Sequence, residues 1–235
     1  MIKVVCFDID GTLYPKWVTN RKLFFTLFPS LSLALQYQKF RKEVRQKKSL
    51  VLKDQSKQGF RRYQAKSIAK KTKQNPKEIE KRIERQFYHR WEKIFAKLKG
   101  YADVSETLAE LKNRGYKLAF LSDFPIGNKL RALKVEHLAD YAICSEQSGY
   151  LKPHESPFLA ICNKLNVTPQ EVAYVGDSYF KDIMGAKKVG MKTLWLVPKI
   201  KKHSLKKRLE SNYSDADAIF SSYSEFIDKL EKIDK

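Results

Sequence analysis

The chain has 235 residues and a mass of 27.5 kDa, enough to bury one ordinary core with a large insertion or two linked domains. With 43% apolar and 31% charged residues it is not disordered by composition, although its formal charge of +21 is far from neutral. Its three cysteines, Cys6, Cys144 and Cys162, lie in apolar runs without CxxC or CxxH spacing, which argues against a zinc site and for buried thiols of a reducing compartment.

The N-terminal MIKVVCF carries too short an apolar stretch for a signal peptide, so a cytoplasmic protein is expected, and residues 2–7 read as a strand buried on both faces. Residues 16–100 read as helices throughout. Helices are expected over 21–37 and 40–51, broken near Pro29 and Ser30. The last helix of this stretch is the clearest: Asn75 caps it, Pro76 opens it, and Ile79, Ile83, Phe87, Trp91, Phe95 and Leu98 form one apolar stripe that ends at Gly100. Such a stripe predicts packing within a helical bundle. Beyond Gly100, expected strands at 117–121, 141–144, 172–175 and 193–197 alternate with expected helices at 104–114, 127–137, 157–165, 181–189 and 224–232. This alternation predicts an α/β fold, a doubly wound parallel sheet with right-handed crossovers, interrupted after its first strand by an α-helical domain.

The net charge is unevenly distributed and concentrated in that interruption. Residues 16–99 hold 25 Lys and Arg against 6 Asp and Glu, whereas the rest of the chain holds 22 against 20. The shift predicts a core of residues 1–15 and 100–235 and a basic helical module of residues 16–99. The run RKEVRQKK suits nucleic acid or an anionic lipid surface, yet most charge runs are solvated faces. The stretch LFFTLFPSLSLAL beside Arg21 and Lys22 admits an interfacial helix, but its length and Pro29 favour the buried core of the module.

Four segments carry the chemistry: VVCFDIDGTLY (4–14), LAFLSDF (118–124), YLKP (150–153) and YVGDSYFKD (174–182). Each apolar run ends in a polar cluster, and ligands of open α/β sheets bind at the carboxyl ends of strands. Strand alternation places Asp8 and Asp10 on one side unless the chain turns between them, and Gly11 and Thr12 let the backbone curl so that amides face a phosphate. Carboxylates this close favour a hard cation with oxygen ligands, which points to Mg²⁺. One Asp can attack phosphorus while the other handles the leaving-group proton. The Ser122 hydroxyl can reach a phosphate oxygen, and Lys152 can neutralise phosphate and Asp8. Asp177 and Asp182 flank a turn with Gly176 and Ser178, where they can hold a cation or anchor the lysine. Singly, each segment also reads as an ordinary acidic turn, loop cation or helix cap. Jointly they make a site.

The segments resemble motifs one to four of the haloacid dehalogenase-like superfamily, over roughly residues 1–15 and 100–230, with the helical insertion where that family carries a C1 cap. The resemblance implies a phosphatase in which Asp8 is the nucleophile that forms an aspartyl-phosphate and Asp10 the general acid and base. Ser122 and Lys152 would bind phosphate. Asp177, the Asp8 carboxylate and the Asp10 backbone carbonyl would hold Mg²⁺, and Asp182 would support the metal or Lys152. Dehalogenating members lack an acid at the second position of the first motif, so Asp10 implies phosphoryl transfer. One departure stands out: Asp123 follows Ser122 where the family often has Asn, so any phosphate contact there falls to its backbone amide.

The expected substrate is a small phosphorylated metabolite: a nucleotide, a sugar phosphate or a phosphoglycolate-like acid. Two alternatives stand beside it, a mutase of the same family, or a basic protein that binds nucleic acid or a membrane surface with catalysis secondary. A catalytically dead scaffold is disfavoured because every principal motif position is filled.

Overall fold

The computed structural model describes residues 1–26, 28, 30–46, 56–197 and 215–234. Six strands form one parallel sheet: β1 Val4–Asp8, β2 Lys117–Ser122, β3 Tyr141–Cys144, β4 Val172–Gly176, β5 Lys192–Leu196 and β6 Ala218–Phe220. Their order is β3-β2-β1-β4-β5-β6, the doubly wound arrangement whose direction reverses between β1 and β4. Asp8 ends β1 and Asp177 follows β4, so the two acids face each other across the reversal.

β1 is buried on both faces, as its apolar run requires. Val5 and Phe7 pack to one side with Leu108, Leu111, Phe226 and Leu230; Val4 and Cys6 pack to the other with Phe158, Ile161 and Ala186. Helices α6 (Val104–Asn113) and α10 (Phe226–Asp234) cover the first face, and α8 (Glu155–Leu165) and α9 (Met184–Lys188) the second. All three cysteines are buried free thiols.

Between β1 and β2 lie α1 (Trp17–Phe25), α2 (Leu31–Gln46), α3 (Lys57–Thr72), α4 (Pro76–Ile83) and α5 (His89–Phe95), the last two joined by a π-type turn at Glu84–Tyr88. The Asn75 side chain accepts from the Lys77 amide, and the stripe Ile79, Ile83, Phe87 is buried against Leu33, Tyr37, Phe40, Phe60 and Ile68. Phe95 and Leu98 turn instead to the core of the sheet domain.

Several expectations need correction. The helix at 127–137 is only α7, Lys129–Ala132, and a short turn at Glu136–Leu138, because Lys134 takes a left-handed φ of 59° that ends the helix. Residues 181–189 begin as a π-type turn, Tyr179–Ile183, before α9. β6 was not expected, because AIF is too short to show a strand period. The two helices expected over 21–37 and 40–51 are not separated between 37 and 40: α2 runs unbroken from Leu31 through Phe40 to Gln46, after the break expected near Ser30. Pro29 and the end of the helix expected at 40–51, with the end of the basic run, lie outside the described residues. The LFFTLFPSLSLAL stretch is only partly buried core: Leu33 and Ala34 are buried, whereas Phe24, Phe25, Phe28, Leu31 and Leu35 are all about half exposed or more. Among the described residues, no helix is long and apolar enough to cross a membrane.

Candidate active site

The site lies at the carboxyl edge of β1, β2 and β4. Asp8 is buried, with one carboxylate oxygen 2.6 Å from Lys152 Nζ and the other accepting from the Thr12 hydroxyl at 2.8 Å. Lys152, wholly buried, also donates to Asp182 at 2.6 Å and to the Tyr174 hydroxyl at 3.1 Å. Burial pushes the Asp8 carboxyl up; Lys152 opposes this, while Asp182 and Asp10 add to it. Desolvation works against the Lys152 ammonium too, but Asp182 and Asp8 outweigh it and raise its pKa well above the ordinary lysine value.

After Ile9 the chain turns, its carbonyl accepting from the Thr12 and Leu13 amides, so Asp10 leaves the strand and points elsewhere. Lys129 donates to both Asp10 oxygens at 2.7 and 2.8 Å, Ser122 donates at 2.6 Å, and the Tyr14 hydroxyl donates as well. Burial pushes the Asp10 carboxyl up, but Lys129, Ser122 and Tyr14 together bring it below the usual carboxylate range. The ammonium of Lys129 also lies 4.3 Å from the Phe95 ring centre. Ser122 therefore holds Asp10 and the Phe124 amide in this structure, a position different from the phosphate contact that its motif implies.

Asp177 lies beside Asp8 and Asp182, with one carboxylate oxygen from each within 4.8 Å of the others. Gly11, at φ 102°, is pressed so close to this group that an added Cβ would lie 2.6 Å from Asp177 Oδ2. Gly176 is equally constrained, since a Cβ there would lie 2.3 Å from that of Asp182. The Ser178 amide donates to Asp182 at 3.0 Å, and its hydroxyl accepts from the Lys181 amide. Lys16 donates to both Asp177 oxygens at 2.8 and 2.6 Å. Three carboxylates without nitrogen or sulfur donors fit a hard divalent cation. Lys16, 38% exposed on a flexible stem, is the cation that such an ion would displace.

Asp123 resolves the departure in motif two. Its carboxylate turns to the Ser145 hydroxyl (2.8 Å), the Lys152 amide (3.2 Å) and Arg45 of α2 (2.8 Å), so it is spent on structure. Burial alone would raise this carboxyl, but Arg45, Lys152, Lys181 and Arg41 hold it far below the usual range. Its carbonyl accepts from Arg41 at 2.5 Å, and the same guanidinium pairs with buried Glu146 at 2.5 Å. These pairs tie the insertion to the loops after β2 and β3.

Sequence reasoning missed Lys129, Tyr14, Lys16, Arg41, Arg45 and Glu146. Tyr14 stood inside the first motif, and Arg41 and Arg45 inside the basic run RKEVRQKK. The others read as surface charges, because nothing in their neighbours marks the partner that burial gives them.

A cavity of about 800 Å³ opens beside Asp10. Tyr37, Phe87, Trp91, Phe95 and Phe124 form its apolar wall, and Lys16, Lys39, Lys42 and Arg45 also line it. A second cavity of about 690 Å³, reaching Arg61, Glu92 and Gln147, includes none of the four site carboxylates.

The haloacid dehalogenase-like hydrolase family matches residues 2–190, most of the chain and all four site segments. The chain belongs to that family. It is 31% identical over 198 residues to a glyceraldehyde 3-phosphate phosphatase of Methanopyrus kandleri, covering 83% of each chain. Over 93 residues it is 34% identical to a phosphoglycolate phosphatase of Haemophilus influenzae, 38% of this chain and 41% of that one. Among solved structures, a HAD phosphatase from Thermococcus onnurineus superposes with a TM-score of 0.61 at 23% identity, over 97% of this chain and 98% of that one. The L-2-haloacid dehalogenase of Xanthobacter autotrophicus reaches 0.64 at 18% identity, over 98% and 99%. These two likenesses concern the fold, which phosphatases and dehalogenases share.

Proposed function

We propose that the chain is a Mg²⁺-dependent phosphatase that hydrolyses a phosphate monoester through a phosphorylated Asp8. The observation that carries this reading is the setting of Asp8: a buried carboxylate oriented by Lys152 and Thr12, beside two further carboxylates, at the reversal point of a family hydrolase fold. The names of the relatives agree with it. Residues 16–99 would serve as the lid over the leaving group.

In the first half-reaction an Asp8 oxygen forms a bond to phosphorus as the ester P–O bond breaks, and the departing oxygen takes a proton from Asp10. In the second, Asp10 takes a proton from water as that water attacks phosphorus, which releases phosphate and frees Asp8. The lowered pKa of Asp10 suits the second step. The proton that Asp10 gives the leaving oxygen in one turnover is the one it takes from water in the other half-reaction, so the cycle balances, while Tyr14, Ser122 and Lys129 orient the carboxylate through the hydrogen bonds they donate to it. Asp8, Asp177 and Asp182 would hold Mg²⁺, which supplies positive charge against the phosphoryl oxygens when bound. Lys152 keeps Asp8 aimed and adds a fixed charge, and rotation of the Ser122 hydroxyl would bring it to phosphate.

The test is a phosphatase panel of glyceraldehyde 3-phosphate, phosphoglycolate, nucleotides and sugar phosphates with and without Mg²⁺. Activity should vanish in chelator and in Asp8→Asn. Turnover that persists in Asp8→Asn would remove the covalent route, and transfer of phosphate between substrate positions would favour a mutase.

A further inference from the structure

The stretch expected to be buried turns one face, Leu33 and Ala34, into the core and leaves the other as an exposed apolar face. On α1 and the segment that follows it, Trp17 is 76% exposed, Phe24 56%, Phe25 64% and Phe28 53%. Phe24 makes edge contacts with Phe25 and Phe28 at 6.0 Å each, so the three rings form one patch. On α2, Leu31 and Leu35 are exposed at helical spacing, and the stripe continues through exposed Lys39 and Lys42. Phe24 and Leu35 also line the cavity that reaches Asp10, as do Lys39, Lys42 and Arg45. The patch thus adjoins the cavity through Phe24 and Leu35 and has cations beside it, while Trp17, Phe25, Phe28 and Leu31 lie outside the cavity lining.

Patches of this kind mark interaction surfaces, and the charge decides the occupant. A second copy would bring the same strongly basic module, 25 Lys and Arg against 6 acids, into contact with itself. Nucleic acid would satisfy the cations but leave exposed Leu31 and Leu35 without a role. A lipid surface with anionic headgroups satisfies both: aromatic and leucine side chains enter the headgroup and acyl boundary while lysines meet phosphate.

We propose that the α1–α2 edge docks on an anionic bilayer through Phe25, Phe28, Leu31 and Leu35, which seats the mouth of the catalytic cavity on the headgroup plane. The cavity's aromatic wall then receives the apolar part of a phosphate monoester drawn from that surface. The docking needs no catalytic step; the choice of substrate rests on the phosphatase reading.

The experiment is co-sedimentation of the full chain with vesicles of phosphatidylcholine alone and of phosphatidylcholine with phosphatidylglycerol, at low and high salt. The protein should partition onto the anionic vesicles, and less so at high salt. Phe25→Ser/Phe28→Ser should lower the partition coefficient by about tenfold or more, with turnover of p-nitrophenyl phosphate unchanged. Asp8→Asn should bind vesicles like the wild type, so loss of catalysis and loss of docking are read separately. Three results would overturn the proposal: no partition onto anionic vesicles; equal partition of the double variant, which reduces the effect to charge alone; or self-association without vesicle binding that the double variant abolishes, which assigns the face to a second copy.

Discussion

Lys152→Met tests the charge balance at the centre of the site. The substitution keeps most of the volume and removes a wholly buried ammonium that lies 2.6 Å from Asp8 and 2.6 Å from Asp182. Two buried carboxylates are then left facing each other, and removing one partner of a buried ion pair costs about 3–5 kcal/mol. For a chain of this size that is a fall in Tm of roughly 6–20 °C. The loss must depend on pH. Without Lys152, which opposes the effect of burial, the folded-state pKa of Asp8 rises further above the unfolded value near 3.9. A raised folded pKa contributes stability that is present below the unfolded value and lost as pH climbs through the folded one. The deficit against wild type should therefore be small near about pH 4 and largest near about pH 8. Thermal unfolding without metal across that range measures it, and added Mg²⁺ should restore more stability to the variant than to the wild type. A deficit under about 1 kcal/mol at the alkaline end, or one independent of pH, would refute the claim that Lys152 balances Asp8 and Asp182.

Gly176→Ala should lower both stability and turnover, because the new methyl would lie 2.3 Å from Asp182 Cβ and push aside the anchor of Lys152; melting and kcat measured together check this. With Asp10→Asn and a substrate bearing a good leaving group, the first half-reaction should survive better than the second, so phosphorylated Asp8 should accumulate in rapid-quench trapping. Dephosphorylation at the wild-type rate would exclude Asp10 as the base. Asp123→Asn should cost about 1–3 kcal/mol at neutral pH by weakening the buried carboxylate's pair with partly buried Arg45. Because the Asp123 carboxyl is held low in the folded state, its contribution is present above about pH 4 and fades as pH falls toward the folded value. Acid titration of stability should accordingly be shallower in the variant.

The parallel sheet and the gathering of Asp8, Asp177 and Asp182 were legible in the chain because both are local: buried strands read as unbroken apolar runs, and strand ends in such a sheet share one edge. The apolar stripe from Ile79 to Phe87 was legible for the same reason, as a helical period states which face is buried. The pairing of Lys152 with Asp8 and Asp182 was legible too, because all three stood in the motifs, whereas pairings between distant charges outside them were not. Lys129 lies 119 residues from Asp10, Lys16 lies 161 from Asp177, and Arg41 lies 105 from Glu146, and an isolated Lys or Arg looks the same whether solvated or sunk against a carboxylate. Nor could composition say that Phe24, Phe25 and Phe28 would face outward, because apolar side chains state a preference for burial without naming what covers them. Sequence alone determined the fold class and the acids at the strand ends, through periodicities that each segment carries by itself. Only the tertiary structure decided which cations meet Asp10, Asp177 and Asp123, that Asp123 braces the insertion, and that an aromatic wall lines the cavity, because those outcomes depend on surfaces brought together from distant parts of the chain.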